Sequence, residues 1–314
     1  MADGSPARRR LLVTGATGLL GAAVVREAGR AYEVYGLARR PTVVPLPCRP
    51  VAVDLADVDA TRDAIDRIAP DVVIHTAALA SVDQCQQDPQ QAALMNVTAT
   101  SNLIAALRGS ACQLVFISSD SVFDGTRGDY DEYDEPAPIN VYSRTKVDAE
   151  RLILASGLDA VIARTAFYGW NVLPKLDLAE WILSTLRDKG VIRGFFDAQF
   201  SPLATTHLAG LLLHLVTLHA RGILNVASSE PCSKYQFARQ LAARAGFSPD
   251  QVQPIDMNAA GLIAPRPKNV TLVTRRAEVL LGRRLPNITE GLDDFFDTAA
   301  VGHCRWLGSV TRAR

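Results

Sequence analysis

Short apolar runs alternate with amphipathic stretches along this chain. Residues 11–13 (LLV) suit a buried strand, and residues 22–30 continue as a helical pattern. Residues 33–38 (EVYGLA), 51–53 (VAV), 71–75 (DVVIH), 114–118 (LVFIS) and 158–163 (LDAVIA) read as further strands. Residues 222–227 read as a late strand returning to the same sheet. A helix is expected over 89–107, and another carries Tyr142 and Lys146. The longest apolar stretch, 208–220, contains His214 and His219, is too short to span a bilayer and reads as a core helix. Such alternation predicts an α/β fold, a Rossmann-type doubly wound parallel sheet.

The first strand enters Thr14-Gly15-Ala16-Thr17-Gly18-Leu19-Leu20-Gly21, a Gly-x-x-Gly-x-x-Gly pattern between a strand and a helix. Glycine allows the tight turn and lets the backbone approach a pyrophosphate. The helix N-terminus then offers unpaired N–H groups and partial positive charge to that anion. An isolated glycine pattern would read as an ordinary turn, but its strand and helix context favours dinucleotide binding. The second strand ends at Arg39-Arg40, where many NAD sites carry an acidic residue for the ribose diol. Guanidinium suits a 2′-phosphate, so NADP(H) is favoured over NAD(H). Against this stands the reading of a solvated basic loop before Pro41. Asp54-Leu55 reads as an adenine contact or, equally, as a strand-end turn. The small residues Ala77 and Ala78 would let a cofactor lie close.

The candidate chemistry lies between Phe116 and Lys146. Tyr142 and Lys146 are four apart and share a helix face. A free tyrosine has a pKa of roughly 10, and a nearby ammonium is expected to lower it. Ser119, at the end of the fifth strand, could hold a carbonyl oxygen beside the phenol. Ligands of open parallel sheets bind outside the carboxyl ends of the strands. Tyr-x-x-x-Lys alone occurs by chance on many solvated helices; the glycine loop and Ser119 change its weight.

Composition narrows the rest. The chain has 314 residues, 48% hydrophobic and 21% charged, with zero net charge. Nothing there favours nucleic acid or an anionic membrane. Five scattered cysteines (Cys48, Cys85, Cys112, Cys232, Cys304) lack CxxC spacing, which argues for a reducing, cytoplasmic location and against a disulfide framework or zinc site. Cys85 reads as a buried thiol in preference to a reactive one. His75 reads as hydrogen-bonded packing, and His207, His214, His219 and His303 lack metal-ligand spacing, so no metal is assigned. Trp170 and Trp181 read as core or pocket wall. The acidic run 129–135 reads as a solvated loop at the substrate cleft.

TGATGLLG, HTAA, SSDSVF and YSRTK together resemble an extended short-chain dehydrogenase/reductase. PDVVIHTAALASVDQCQQDP, SSDSVFDG, PINVYSRTK, AQFSPLATTHLA and PRPKN resemble the dTDP-4-dehydrorhamnose reductase family. They also resemble the related regulatory β subunit of methionine adenosyltransferase, an NADP-binding protein of the same fold. The likeness spans roughly residues 11–297.

The resemblance implies that Ser119 hydrogen-bonds a substrate carbonyl, Tyr142 is the general acid, and Lys146 binds the nicotinamide ribose and tunes Tyr142. Asp120 would help orient substrate, Arg266 would serve the nucleotide-sugar site, and Gln199 and Phe200 would shape the pocket. Two positions depart from the family: Ser121 stands where tyrosine is common, and Phe167 where tryptophan is frequent. Both reshape the sugar pocket. The implied protein is an NADPH-dependent reductase of a keto group on a deoxysugar nucleotide. The alternatives are an NADP-binding regulatory subunit, or an epimerase or dehydratase. A homodimer is compatible with this reading. The expected organisation is a tail over 1–10, a Rossmann domain over 11–168 with a segment about 203–228 returning to it, and a substrate-binding lobe from 169–202 and 229–314.

Overall fold

The computed structural model describes residues 8–40 and 46–298. Pro41, Cys304, His303, most of the expected tail and the end of the expected lobe lie outside the described residues. Strands β1 (Arg10–Thr14), β2 (Glu33–Ala38), β3 (Arg49–Ala52), β4 (Val72–His75), β5 (Gln113–Ile117) and β6 (Ala160–Arg164) build most of the large sheet. Short strands β7 (Ala166–Tyr168), β8 (Ile192–Phe195), β9 (Gln199–Phe200) and β10 (Pro202–Ala204) precede the returning β11 (Gly222–Asn225), and β12 (Cys232–Ser233) and β13 (Val252–Ile255) follow it. The large sheet is wholly parallel, in the order β11-β6-β5-β4-β1-β2-β3. The order reverses beside β1, which puts the ligand crevice at the carboxyl ends of β1 and β4.

Helix α1 (Leu19–Ala28) follows β1; α2 (Val58–Ile68) follows β3; α3 (Val82–Gln87), α4 (Pro89–Ala93) and α5 (Ala99–Leu107) follow β4. Next come α6 (Val141–Ala155), α7 (Leu178–Lys189), α8 (Thr205–Thr217), α9 (Lys234–Arg244), α10 (Arg275–Leu281) and α11 (Ile288–Thr298). The period-two alternation of the strands divides two cores. Leu11, Val13, Val115 and Ile117 face a cluster with Leu208 and Leu212 of α8. Leu12, Leu114 and Phe116 face the other side, with Ile65 of α2, Leu103 of α5 and Ile153 of α6. A third cluster joins Trp170, Leu183, Phe237, Val252 and Phe295 away from the sheet.

Several expectations shift. The tail yields Arg10 to β1. The helix expected over 22–30 starts at Leu19, because the glycine turn closes on itself: Gly18 N–H donates to the Gly15 carbonyl at 2.8 Å and the first helical turn follows at once. The helix expected over 89–107 is interrupted by a π turn, Leu94–Thr98, centred on buried Asn96. Trp181 is 46% exposed, so it is neither core nor pocket wall. The acidic run keeps Asp129, Tyr133 and Glu135 exposed, as expected of a solvated loop, but it is pinned at two points. Tyr130 N–H donates to the Thr271 carbonyl at 2.9 Å, and the Glu132 carboxylate accepts from Asn225 N–H at 2.9 Å. Tyr130 also stacks on Phe123, centroids 4.2 Å apart.

Candidate active site

The glycine turn is built for close approach. Gly15 has φ +65°, and a Cβ there would stand 2.8 Å from the Ala77 backbone. Leu20 is buried in the core, so only its backbone faces the turn, beside Thr17, Leu19 and Gly21. The N-terminus of α1 has no side-chain cap, which leaves its first N–H groups for an outside anion. Arg39 and Arg40 are exposed and have no carboxylate partner among the described residues; Arg39 only touches the Met95 sulfur at 3.8 Å. The uncapped helix N-terminus at the glycine turn suits the phosphates of a dinucleotide. Asp54 accepts from Ala56 N–H at 3.0 Å, and Leu55 is buried in the core. That geometry is a strand-end turn, with the Asp54 side chain exposed and the Leu55 side chain packed in the core.

Ser119, Tyr142 and Lys146 are brought together in one cleft of about 300 Å³, with Ala78, Asp120, Ser121, Phe167, Gln199, Phe200, Lys234 and Arg266 on its walls. Helix α6 is anchored at its start by Asn140, whose Oδ1 accepts from Ser143 N–H at 2.9 Å and whose Nδ2 donates to the Pro265 carbonyl at 3.1 Å. Ser119 caps the single turn Asp120–Val122 and donates to Asp120 Oδ1 at 3.1 Å. Its Oγ lies 2.9 Å from Ser121 Oγ, which accepts from Ser143 Oγ at 3.0 Å. Ser121 thus links the Ser119 hydroxyl to α6.

The Lys146 ammonium donates to the Ile117 carbonyl at 2.9 Å and sits 4.8 Å above the Phe116 ring. Burial pulls its pKa down to about 8, against the raising field of Glu150. Tyr142 departs from expectation. Burial, then the nearby Asp120 charge, hold the phenol above its ordinary value, and the Ser119 hydroxyl pulls the other way. Lys146 is 6.0 Å from the Tyr142 ring and is engaged with the backbone, so the expected lowering by the ammonium is outweighed by desolvation. Burial likewise pushes Asp120 up to about 6, partly offset by Ser119 and Lys234.

Other candidates are spent on structure. His75 bridges Thr14 Oγ1 (2.6 Å) and Thr100 Oγ1 (3.1 Å), and burial holds its pKa down to about 3, so the ring is neutral. Cys85 is fully buried. Trp170 stacks on Phe295 at 4.0 Å and lines a different cavity. Two residues escaped the sequence reading. Asn96, at the π turn, donates to Thr145 Oγ1 at 2.9 Å and clamps the Leu79 backbone, tying α6 to the loop after β4. Lys234 enters the cleft from α9. A helix-period interruption could have flagged Asn96; no local signal marks Lys234.

A family model described as the RmlD substrate binding domain matches residues 9–301. The chain belongs to the RmlD substrate-binding domain family. It is 31% identical over 287 residues to a probable low-salt glycan biosynthesis reductase of Haloferax volcanii, covering 89% of this chain and 95% of that one. It is also 31% identical over 290 residues to the methionine adenosyltransferase 2 subunit beta of Xenopus laevis, covering 88% and 84%. A solved family structure, the dTDP-4-dehydrorhamnose reductase of Bacillus anthracis in complex with NADP, superposes with a TM-score of 0.83 at 26% identity, covering 93% of this chain and 99% of that one. The likeness thus supports a nicotinamide cofactor.

Proposed function

We propose that this protein is an NADPH-dependent reductase of a keto group, at C4, on a nucleotide-activated deoxysugar. The carrying observation is the convergence of Ser119, Tyr142 and Lys146 on one cleft whose wall includes Ala78 and the carboxyl end of β5. The relatives named as reductases support the activity, and Arg39 and Arg40 support NADPH over NADH. The third hydrophobic cluster supports a substrate-binding lobe apart from the Rossmann part, and the four described cysteines are unpaired, as in a reducing cytoplasm.

When bound, the dihydronicotinamide supplies a hydride to the carbonyl carbon. The protein's own residues manage the oxygen. Ser119 donates a hydrogen bond to the carbonyl oxygen as negative charge develops there. Tyr142, held protonated by burial, gives its proton to that oxygen, and a secondary alcohol results. Lys146 would hold the cofactor ribose and would oppose charge left on the phenolate. Asp120, Ser121, Phe167, Gln199 and Arg266 orient the sugar nucleotide. Purified protein given NADPH and a panel of 4-keto sugar nucleotides should consume cofactor in step with alcohol formed. Tyr142→Phe should lose at least about a hundredfold in kcat. No turnover across the panel, or full activity in Tyr142→Phe, sinks the reading.

The likeness to a methionine adenosyltransferase regulatory subunit supports a second reading, an NADP-binding subunit without turnover. NADPH binding by calorimetry with no consumption, together with co-purification of an enzyme partner, would favour it.

A further inference from the structure

Three cations border the cleft, and two are already engaged. Lys146 donates to the Ile117 carbonyl, and Arg266 pairs with Asp83 at 3.0 Å and donates to the Ala264 carbonyl at 2.9 Å. Lys234 differs. Its ammonium has no hydrogen-bond or ion-pair partner among the described residues, although it is half-buried by the cleft walls. The Phe200 ring lies 5.9 Å from it, and the Asp120 charge and the Arg266 charge act on it from opposite signs.

The position is built. Antiparallel pairing of β12 with β9 sets Ser233 opposite Gln199 and Cys232 opposite Phe200. Lys234 N–H donates to the Ala198 carbonyl at 2.9 Å, and Ser233 caps α9 through a reciprocal bond with Gln236. The backbone at Lys234 is therefore fixed, and its side chain lines the cleft. A half-buried, unpaired ammonium is partly stripped of water with no protein partner in return, which a ligand oxyanion would supply.

We propose that Lys234 is a specificity residue of this cleft, and that its ammonium receives an oxyanion of the substrate. This rests on the sugar-nucleotide reading above. Two groups of such a substrate carry that chemistry: the diphosphate bridge, and an acidic substituent on the sugar. In either case the cleft selects anionic substrates over neutral ketones of similar size.

Calorimetry on the NADP-loaded protein distinguishes the sources without requiring turnover. The probes are dTDP, dTDP-glucose and UDP-glucuronic acid, with UDP and UDP-glucose as base controls. In Lys234→Met, a charge-assisted hydrogen bond is lost, and the dissociation constant should rise about ten- to hundredfold. A rise shared by all the probes assigns the diphosphate; a rise confined to UDP-glucuronic acid assigns the sugar acid. Lys234→Gln should follow Lys234→Met, because the charge is what has gone, while Lys234→Arg should restore most of the affinity. NADP binding should be unchanged in all three variants, which reports an intact fold. If turnover fails but these shifts appear, the reductase reading falls and the anion site stands. Dissociation constants within about twofold of the parent for every probe, in both Lys234→Met and Lys234→Gln, overturn the proposal.

Discussion

Arg164 grips Glu150 with two nitrogens, Nη2 to Oε2 at 2.7 Å and Nε to Oε1 at 3.1 Å, where neither side chain reaches water. Glu150 also accepts from Ser118 and lies one helical turn beyond Lys146. Tyr142, Lys146 and Glu150 thus form one stripe on α6, with Arg164 from the end of β6 closing its foot. Removing Arg164 leaves a buried carboxylate unpaired, so Arg164→Leu should destabilise the fold by about 3–5 kcal/mol, read by urea denaturation.

Glu150 also acts on chemistry. Its charge raises the Lys146 pKa against burial. Glu150→Gln removes that support, so Lys146 should lose its proton at lower pH. The alkaline limb of the kcat/KM profile should then move down from its parent position, provided the variant is assayed below its melting temperature. An unmoved limb with unchanged stability would show that Glu150 neither tunes Lys146 nor holds α6.

Asp120 should set the acid limb. Burial pushes its pKa up to about 6, so its carboxylate is lost as pH falls through about 6. Substrate hydroxyls then lose their acceptor, and kcat/KM should drop. Asp120→Asn should flatten that limb. The stability sign is opposite: a carboxyl whose folded pKa is raised favours the folded state fully below its unfolded value, and that contribution is lost as pH rises through about 6. Asp120→Asn should therefore stabilise the protein at pH 8 relative to pH 5, compared with the parent, in a chemical-denaturation series.

The glycine turn gives a steric prediction. Gly15 combines φ +65° with a Cβ position 2.8 Å from the Ala77 backbone. Gly15→Ala meets both obstacles, and the turn must open by moving β1 from the loop after β4. It should cost about 1–3 kcal/mol in stability and weaken NADPH binding, checked by thermal shift with and without cofactor.

What was legible in the chain follows from range. The strands declare themselves because Leu11 to Val13 or Leu114 to Ile117 alternate between two cores, and that signal lies within each segment. The glycine turn, Ser119 and the Tyr142–Lys146 spacing are local in the same way. Lys234 was illegible because its place depends on β12 meeting β9, more than thirty residues earlier. The pinning of Tyr130 and Glu132 depends on Thr271 and Asn225, which are farther still. The upward pKa of Tyr142 also escaped, since spacing shows a neighbouring ammonium but not the burial that outweighs it.

Arg39 and Arg40 carry the last prediction. They follow the carboxyl end of β2, are exposed, and lack a carboxylate partner among the described residues. A 2′-phosphate would take a charge-assisted hydrogen bond from them that a ribose diol would not need. Each such bond is worth about 1.5–3 kcal/mol, so Arg39→Ala with Arg40→Ala should raise the KM for NADPH about tenfold or more. The KM for NADH should stay within about twofold, because that cofactor never used the bond. The decisive readout is therefore the ratio of kcat/KM for NADPH over NADH, measured with one keto substrate. A ratio unchanged by the double substitution would mean that the arginines are a solvated loop and that cofactor choice is made elsewhere.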